Sequence, residues 1–285
     1  MAITVFTRID EIKQRLDSLR QKNKTIGFVP TMGALHEGHT SLIRRSEAEN
    51  DITVCSIFVN KIQFNNPADF ATYPRMIEQD RRLLEKEQSD ILFAPPHEEM
   101  YPEGETQNLN IDFGNLANVM EGRYRPGHFR GVAIVVNKLF SVIGSCKAYF
   151  GKKDFQQLRI ISEMVRLLDL PVEIIPCETV REPDGLAMSS RNLRLTIGER
   201  MLAAKIFETL MFVRDHAGSV SPRKLQSMAM QRLNQVEGFD PQYFEIVDAG
   251  TLMPIRKWDE TRSPLACTAV NVGDIRLIDN MELFS

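Results

Sequence analysis

The sequence predicts an α/β protein: a Rossmann-like parallel sheet with helices on both faces, followed by a smaller α+β C-terminal domain. Three observations carry this. Short apolar runs recur near residues 26–29, 52–59, 90–94, 148–150 and 172–175. Segments with helical spacing of apolar residues separate them, as βαβ units require. The alternation then changes near residue 177, where two helices precede two further strands.

Taken in order, Ile26-Gly27-Phe28-Val29 ends at Pro30 and reads as a buried strand. Residues 40–47 are helical, with Leu42 and Ile43 on the apolar side. Residues 52–59 are β-branched and form a second buried strand. Met76, Leu83 and Leu84 among charges mark an amphipathic helix over 76–87. Asp90-Ile91-Leu92-Phe93-Ala94 is a third strand, stopped by Pro95-Pro96. Residues 132–142 form an apolar helix. Ala148-Tyr149-Phe150 is a short strand, followed by Gly151, a helix over 154–168 and a strand over 172–175. A loop through Arg191 leads to a helix over 197–216. Ser221 then caps a second helix whose first residue is Pro222. Residues 243–247 and 267–272 are strands of the small unit. The expected division is 1–176 for the Rossmann-like domain and 177–285 for the second.

Composition narrows the class. The chain has 285 residues, 43% hydrophobic and 26% charged, which describes an ordinary folded protein with a sizeable core. The net charge of −3, from 35 basic and 38 acidic residues, gives no sign of a nucleic-acid partner. No run of about 18 apolar residues suggests a membrane span, and the start shows no signal peptide. Cys55, Cys146, Cys177 and Cys267 are widely separated, without metal-ligand spacing. A reduced, cytoplasmic protein is the expectation.

Pro30-Thr31-Met32-Gly33-Ala34-Leu35-His36-Glu37-Gly38-His39 follows the first of these strands and opens a helix. Amides at a helix N-terminus are unpaired, and the helix dipole favours an anion there. His36 and His39, three residues apart, share a face of the first turn. Gly38 between them keeps bulk away. This suits a nucleotide triphosphate, with amides and imidazole N–H groups donating to phosphate oxygens as charge builds in the transition state. One histidine at a helix start is more often a cap than a ligand. Two, after a strand and around a glycine, point to the ligand. Neither a GxxxxGK[ST] loop nor the dinucleotide glycine fingerprint is present.

His36-Glu37-Gly38-His39 resembles the HIGH signature of class I aminoacyl-tRNA synthetases and their nucleotidyltransferase relatives. Ala187-Met188-Ser189-Ser190-Arg191-Asn192 stands where that superfamily has KMSKS, with both lysines replaced. That form is similar to the pantothenate synthetase (pantoate–β-alanine ligase) family. So are Phe58-Val59-Asn60 with Gln63-Phe64, Tyr73-Pro74-Arg75, Glu121-Gly122 with residues 125–132, Gly151-Lys152-Lys153-Asp154-Phe155-Gln156-Gln157, and Asp184-Gly185-Leu186.

The resemblance implies an enzyme that adenylates pantoate with ATP and then passes the pantoyl group to β-alanine, releasing pyrophosphate and AMP. It implies His39, His36 and Lys153 as catalytic residues. ATP would be bound by Met32, Gly33, Ala34, Leu35, His36, Glu37, Gly38 and His39. Gly151, Lys152, Lys153, Asp154, Val180, Met188, Ser189, Ser190 and Arg191 complete that set, with Asp154 on the ribose and the Val180 backbone on the adenine. Gln63 and Gln157 would hold pantoate, and Gln63 also β-alanine. Mg²⁺ would ride mainly on the phosphates and water. Asp80 is the nearby carboxylate, read equally as a metal contact or a plain helix-surface residue. A homodimer and a lid-like C-terminal domain are also implied.

In the family a proline commonly stands where this chain has Lys61. Its absence would loosen Gln63 or add positive charge at the pocket mouth. Arg125, His128 and Arg130 would line the pocket or brace it. Competing readings are a nucleotidyltransferase that keeps AMP in its product, a tRNA-charging fragment, and a non-catalytic nucleotide binder. The charge, the absent lysines and the three polar clusters speak against the last two.

Overall fold

The computed structural model describes residues 3–65, 67–104 and 109–284. It forms two compact units. The first holds six parallel strands: β1 (Thr4–Phe6), β2 (Ile26–Thr31), β3 (Ile52–Ile57), β4 (Ile91–Phe93), β5 (Cys146–Gly151) and β6 (Val172–Cys177), in the order β1-β4-β3-β2-β5-β6. Its longer helices are α1 (Ile9–Arg20), α2 (Glu37–Glu49), α4 (Ile77–Lys86), α7 (His128–Ile143) and α8 (Phe155–Leu167). The short α3 (Pro67–Ala71) and α5 (His97–Met100) flank α4 in sequence.

Alternation along each strand explains the two covered faces. Phe28, Val54, Phe93 and Phe150 point to one side and pack with Ile12, Leu16, Val136, Phe140 and Ile161 from α1, α7 and α8. Val29, Cys55, Leu92 and Tyr149 point to the other and pack with Leu42, Ile43 and Leu84 from α2 and α4. All four cysteines are buried and unbonded, and burial pushes the Cys55 thiol up to about 12, so it is an inert core residue.

The chain moves outward from β2 through β3 to β4, then returns beside β2 with β5 and continues to β6. The switch in direction lies between β2 and β5. In open α/β sheets ligands bind beyond the carboxyl ends of strands at such a point. The β2–α2 loop and Gly151 leave the sheet there.

The second unit is a three-stranded antiparallel sheet, β7 (Phe239–Asp248), β8 (Pro264–Val272) and β9 (Ile275–Glu282), with α9 (Ile197–His216) and α10 (Pro222–Asn234). Thr196 and Glu199 form a reciprocal capping box on α9, and Pro222 occupies the first turn of α10 after Ser221. Both helices cover one face of the sheet through Ile206, Leu210, Leu225, Phe244 and Ala266.

The units interleave more than a single cut after residue 176 expresses. Gly114–Tyr124, which includes α6 (Met120–Tyr124), and Lys153–Gln156 group with Thr179–Ser285. The reason is the sheet's other apolar face: Met120, Leu116 and Phe155 cover Tyr243, Val247, Leu265 and Cys267. Buried polar contacts lock the two insertions. Glu121 takes two bonds of 2.6 Å from Arg276 and one of 2.8 Å from the Tyr243 hydroxyl, while Gln156 accepts the Glu121 amide at 3.0 Å.

One half-buried carboxyl gives the first unit a pH-dependent stability. On α2, burial, reinforced by Asp90 and Glu87, raises Glu47 to about 7. Its Oε1 is buried without a hydrogen-bond partner. Folding therefore favours the protonated form. The contribution is fully present below the unfolded value of about 4.5 and is lost as pH rises through about 7. Glu47→Gln is expected to exceed the parent in stability at pH 8, with the gap closing by pH 4.5. Urea unfolding at several pH values checks this, and a pH-independent gap would contradict it.

Candidate active site

The β2–α2 loop is shaped by consecutive left-handed residues, Gly33 at φ +80° and Ala34 at φ +51°. A side chain at Gly33 would meet Asp80 Oδ2 and Ile57, each 3.0 Å from the ideal Cβ. Asp80 of α4 is buried, and its carboxylate accepts the Ala34 and Leu35 amides at 2.9 and 2.8 Å. Burial raises its pKa while those two amides pull it down. Asp80 is thus not a plain helix-surface residue: its oxygens hold the loop. Among the described residues no group of three or more His, Cys, Asp and Glu could cage a metal ion.

His36 is the N-cap of α2 and His39 its third residue, and they cap each other. Nδ1 of His36 accepts the Gly38 amide at 3.1 Å, and Nδ1 of His39 accepts the His36 amide at 3.3 Å. The ring centroids lie 4.1 Å apart. A ring nitrogen that accepts an N–H cannot itself carry a proton, so the network assigns each ring's hydrogen to Nε2. The pair is held as two Nε2–H donors at the positive end of a thirteen-residue helix.

This corrects one expectation. The amides of residues 33–36 do not form an open cradle: Gly33 donates to the Thr31 hydroxyl at 3.1 Å, Ala34 and Leu35 to Asp80, and His36 to His39. What the loop offers an anion is imidazole. Glu37 is likewise engaged, by Arg44, which also bridges to Glu87.

Gln63, expected as an adaptable polar residue, is buried in a single 3₁₀ turn over Lys61–Gln63. Its Nε2 lies 2.9 Å from Met32 Sδ, and its Oε1 accepts from Asn60 Nδ2 at 3.3 Å. Phe64 packs on Phe70 and Tyr73, drawing the Gln-Phe and Tyr-Pro-Arg motifs together. Lys61 lines a cavity of about 630 Å³ with Met32, Arg75, Asp80 and His97, within the usual size of small-molecule sites. Gln157 is half-buried in the first turn of α8. Lys152, expected on ATP, forms an ion pair of 2.6 Å with Glu178 at the end of β6.

In the second unit, Lys153 Nζ is 3.7 Å from the Asp154 carboxylate, a loose pair, and its carbonyl accepts from Asn280 at 2.8 Å. The Val180 carbonyl accepts the Met188 amide at 3.0 Å, closing a narrow loop over 180–188. Arg181 braces that loop by donating to Asp279 at 2.6 and 3.0 Å and to the Gly185 carbonyl at 3.0 Å. Gly185, at φ +90°, abuts Phe207, where a Cβ would sit 1.9 Å away. Ser189 caps the 3₁₀ turn Ser190–Arg194 by accepting the Arg191 amide, and Ser190 is buried.

Sequence reasoning missed Asp80 as the loop's brace, Gln156, Glu121 and Arg276 as an anchor, and Arg181 with Asp279. Asp80 had a signal: it stands four residues before Leu84 and shares its inward face.

A parallel sheet that carries a histidine-capped helix at its switch point defines the class of Rossmann-like nucleotide-binding enzymes. The family model described as pantoate-beta-alanine ligase matches residues 4–282. A pantothenate synthetase of Phocaeicola vulgatus is 48% identical over 275 residues, covering 96% of this chain and 97% of that protein. One from Azobacteroides pseudotrichonymphae is 46% identical over 278 residues, covering 97% and 99%. The crystal structure of the Thermus thermophilus pantothenate synthetase matches with a TM-score of 0.93 and 40% identity, covering 99% of this chain and 100% of that one. A Francisella tularensis pantoate-beta-alanine ligase, complexed with beta-gamma ATP and beta-alanine, matches with a TM-score of 0.82 and 36% identity, covering 99% and 98%. The chain belongs to the pantoate–β-alanine ligase family.

Proposed function

We propose that the Nε2–H groups of His36 and His39 donate to the phosphates of ATP, with His39 strengthening its bond as charge shifts onto the leaving pyrophosphate. The reaction they serve is that of the family: the chain is an ATP-dependent ligase that joins (R)-pantoate to β-alanine. A pantoate carboxylate oxygen attacks the α-phosphorus, the bond to pyrophosphate breaks, and pantoyl adenylate forms. The β-alanine amine then attacks the acyl carbon, the bond to AMP breaks, and the nitrogen gives up a proton.

In this reading residues 32–39 flank ATP, and Lys153 adds a point charge to the phosphates. Gly151 and Lys152 border the nucleotide. Asp154 holds the ribose and the Val180 backbone meets the adenine. Met188, Ser189, Ser190 and Arg191 supply further phosphate donors. Gln63 and Gln157 grip pantoate, and Gln63 also meets β-alanine. Mg²⁺ enters with ATP, on phosphate oxygens and water. The enzyme works in the cytoplasm as a homodimer.

The mutual capping of His36 and His39 carries the reading, because it supports one tautomer for both rings. ATP–pyrophosphate exchange tests it. Exchange should require pantoate, and AMP should appear only when β-alanine follows. Exchange without pantoate would overturn the proposal. Gln157→Ala is expected to raise the pantoate KM by roughly tenfold or more, the cost of one hydrogen bond to a charged group, with the ATP KM unchanged. Initial-rate kinetics check this, and an unaltered pantoate KM would remove Gln157 from the acid's site.

A further inference from the structure

We infer that His128 is a positioning residue for pantoate, acting through the backbone of Gln63 and not by touching the acid. This rests on the proposed assignment of Gln63 to pantoate.

The turn that carries Gln63 has little internal support. Its backbone bonds are Gln63 N–H to the Asn60 carbonyl at 3.4 Å and Phe64 N–H to the Lys61 carbonyl at 3.1 Å. Lys61 gives no ring constraint on φ, so the turn's precision has to come from its neighbours. The N-terminus of α7 supplies it. Gly127, at φ +80°, turns the chain so that His128 opens the helix against the turn. His128 Nδ1 lies 2.8 Å from the Gln63 carbonyl oxygen, and both residues are buried. A carbonyl only accepts, so Nδ1 carries the proton and donates. Arg125 Nη2 reaches the same oxygen at 3.5 Å.

Three residues on, Gly131 lets the helix lie directly on the turn. A Cβ there would stand 2.8 Å from the Ile62 carbonyl oxygen and 2.9 Å from Gln63 Cα. The Gly131 carbonyl accepts from Asn60 Nδ2 at 3.1 Å, and the Tyr101 hydroxyl donates to Asn60 Oδ1 at 3.0 Å. Asn60 Nδ2 also faces Gln63 Oε1. Gln63 is thereby fixed at its carbonyl by His128 and at its amide oxygen by Asn60. Loss of the His128 bond leaves a buried carbonyl without its main donor and lets the side-chain amide drift, which is felt by the acid it holds and not by ATP.

Steady-state kinetics of His128→Ala, His128→Asn, Gln63→Ala and the His128→Ala/Gln63→Ala double variant test this. His128→Ala is expected to raise the pantoate KM about tenfold and leave the ATP KM within about twofold. His128→Asn, which can keep a donor near the Nδ1 position, should recover most of the loss. In the Gln63→Ala background, His128→Ala should add nothing further. Gly131→Ala, which presses on the same turn with His128 intact, should also raise the pantoate KM and serves if His128→Ala does not fold. The inference is overturned if Gln63→Ala raises the pantoate KM and a folded His128→Ala does not, or, where His128→Ala does not fold, if Gly131→Ala leaves it unchanged. It is also overturned if both substrates' KM values rise together, if asparagine gives no recovery, or if the double variant is additive. A Gln63→Ala variant with parental pantoate KM would instead remove the assignment of Gln63.

Discussion

His39→Ala is expected to slow pantoate-dependent ATP–pyrophosphate exchange by about two to three orders of magnitude, with only a small change in ATP affinity. Removal of one preorganised donor to developing charge costs on this scale, because the bond strengthens in the transition state and is worth little before it. The capping arrangement provides a sharper control. His39→Asn can still accept the His36 amide, now made to Nδ1 at 3.3 Å, but has no atom where Nε2 stood. It should fold like the parent and exchange as slowly as the alanine variant. Parental exchange in either variant would remove the imidazole from the chemistry.

Asp80→Ala is expected to destabilise the chain by about 3 kcal/mol and to cut exchange at saturating Mg²⁺. Two amides lose the acceptor that receives them at 2.9 and 2.8 Å, at roughly 1–3 kcal/mol each, offset in part because a buried carboxylate is costly to keep. Ala34 would then hold its left-handed conformation without that support, and the histidine pair would be displaced with it. Urea unfolding gives the stability, and Mg²⁺ titration of the exchange rate separates the two readings of this residue. An unchanged Mg²⁺ requirement is expected. Parental stability with a raised Mg²⁺ requirement would make Asp80 a metal contact after all.

The strands of the large sheet were legible because burial on both faces makes them continuous apolar runs. The start of the helix at 222–234 was legible from Ser221 and Pro222, whereas the capping box of Thr196 and Glu199 at the start of the helix at 197–216 was not read. The first strand and helix were not read: Thr4–Phe6 is a short edge strand, and Ile12, Leu16 and Leu19 are sparse among charges in α1. β9 escaped because Arg276, Asp279 and Asn280 interrupt Ile275, Leu277 and Ile278, leaving no continuous apolar run. The interleaving of the units was invisible for a deeper reason. Whether residues 114–124 cover one sheet or another depends on contacts such as Glu121 with Arg276, 155 positions apart.

The site shows the same division. Residue types and spacing pointed to His36 and His39, since a pair three apart at a helix start is a local feature. Which nitrogen of each ring donates was not local, because it follows from the backbone amides the rings accept. The pairing of Lys152 with Glu178, from the end of the adjacent strand, was likewise not local. His128 and Asp80 act on the site through bonds to backbone atoms far along the chain, which no motif of side chains records.

The central step is attack by the pantoate carboxylate at the α-phosphorus of ATP. The most direct measurement supplies pantoate labelled with ¹⁸O in its carboxyl group, runs the complete reaction with β-alanine, and reads the label in the phosphorus-containing products by mass spectrometry. One labelled oxygen in AMP, with none in pyrophosphate, is predicted. Label in inorganic phosphate, or an AMP free of it, would contradict the account.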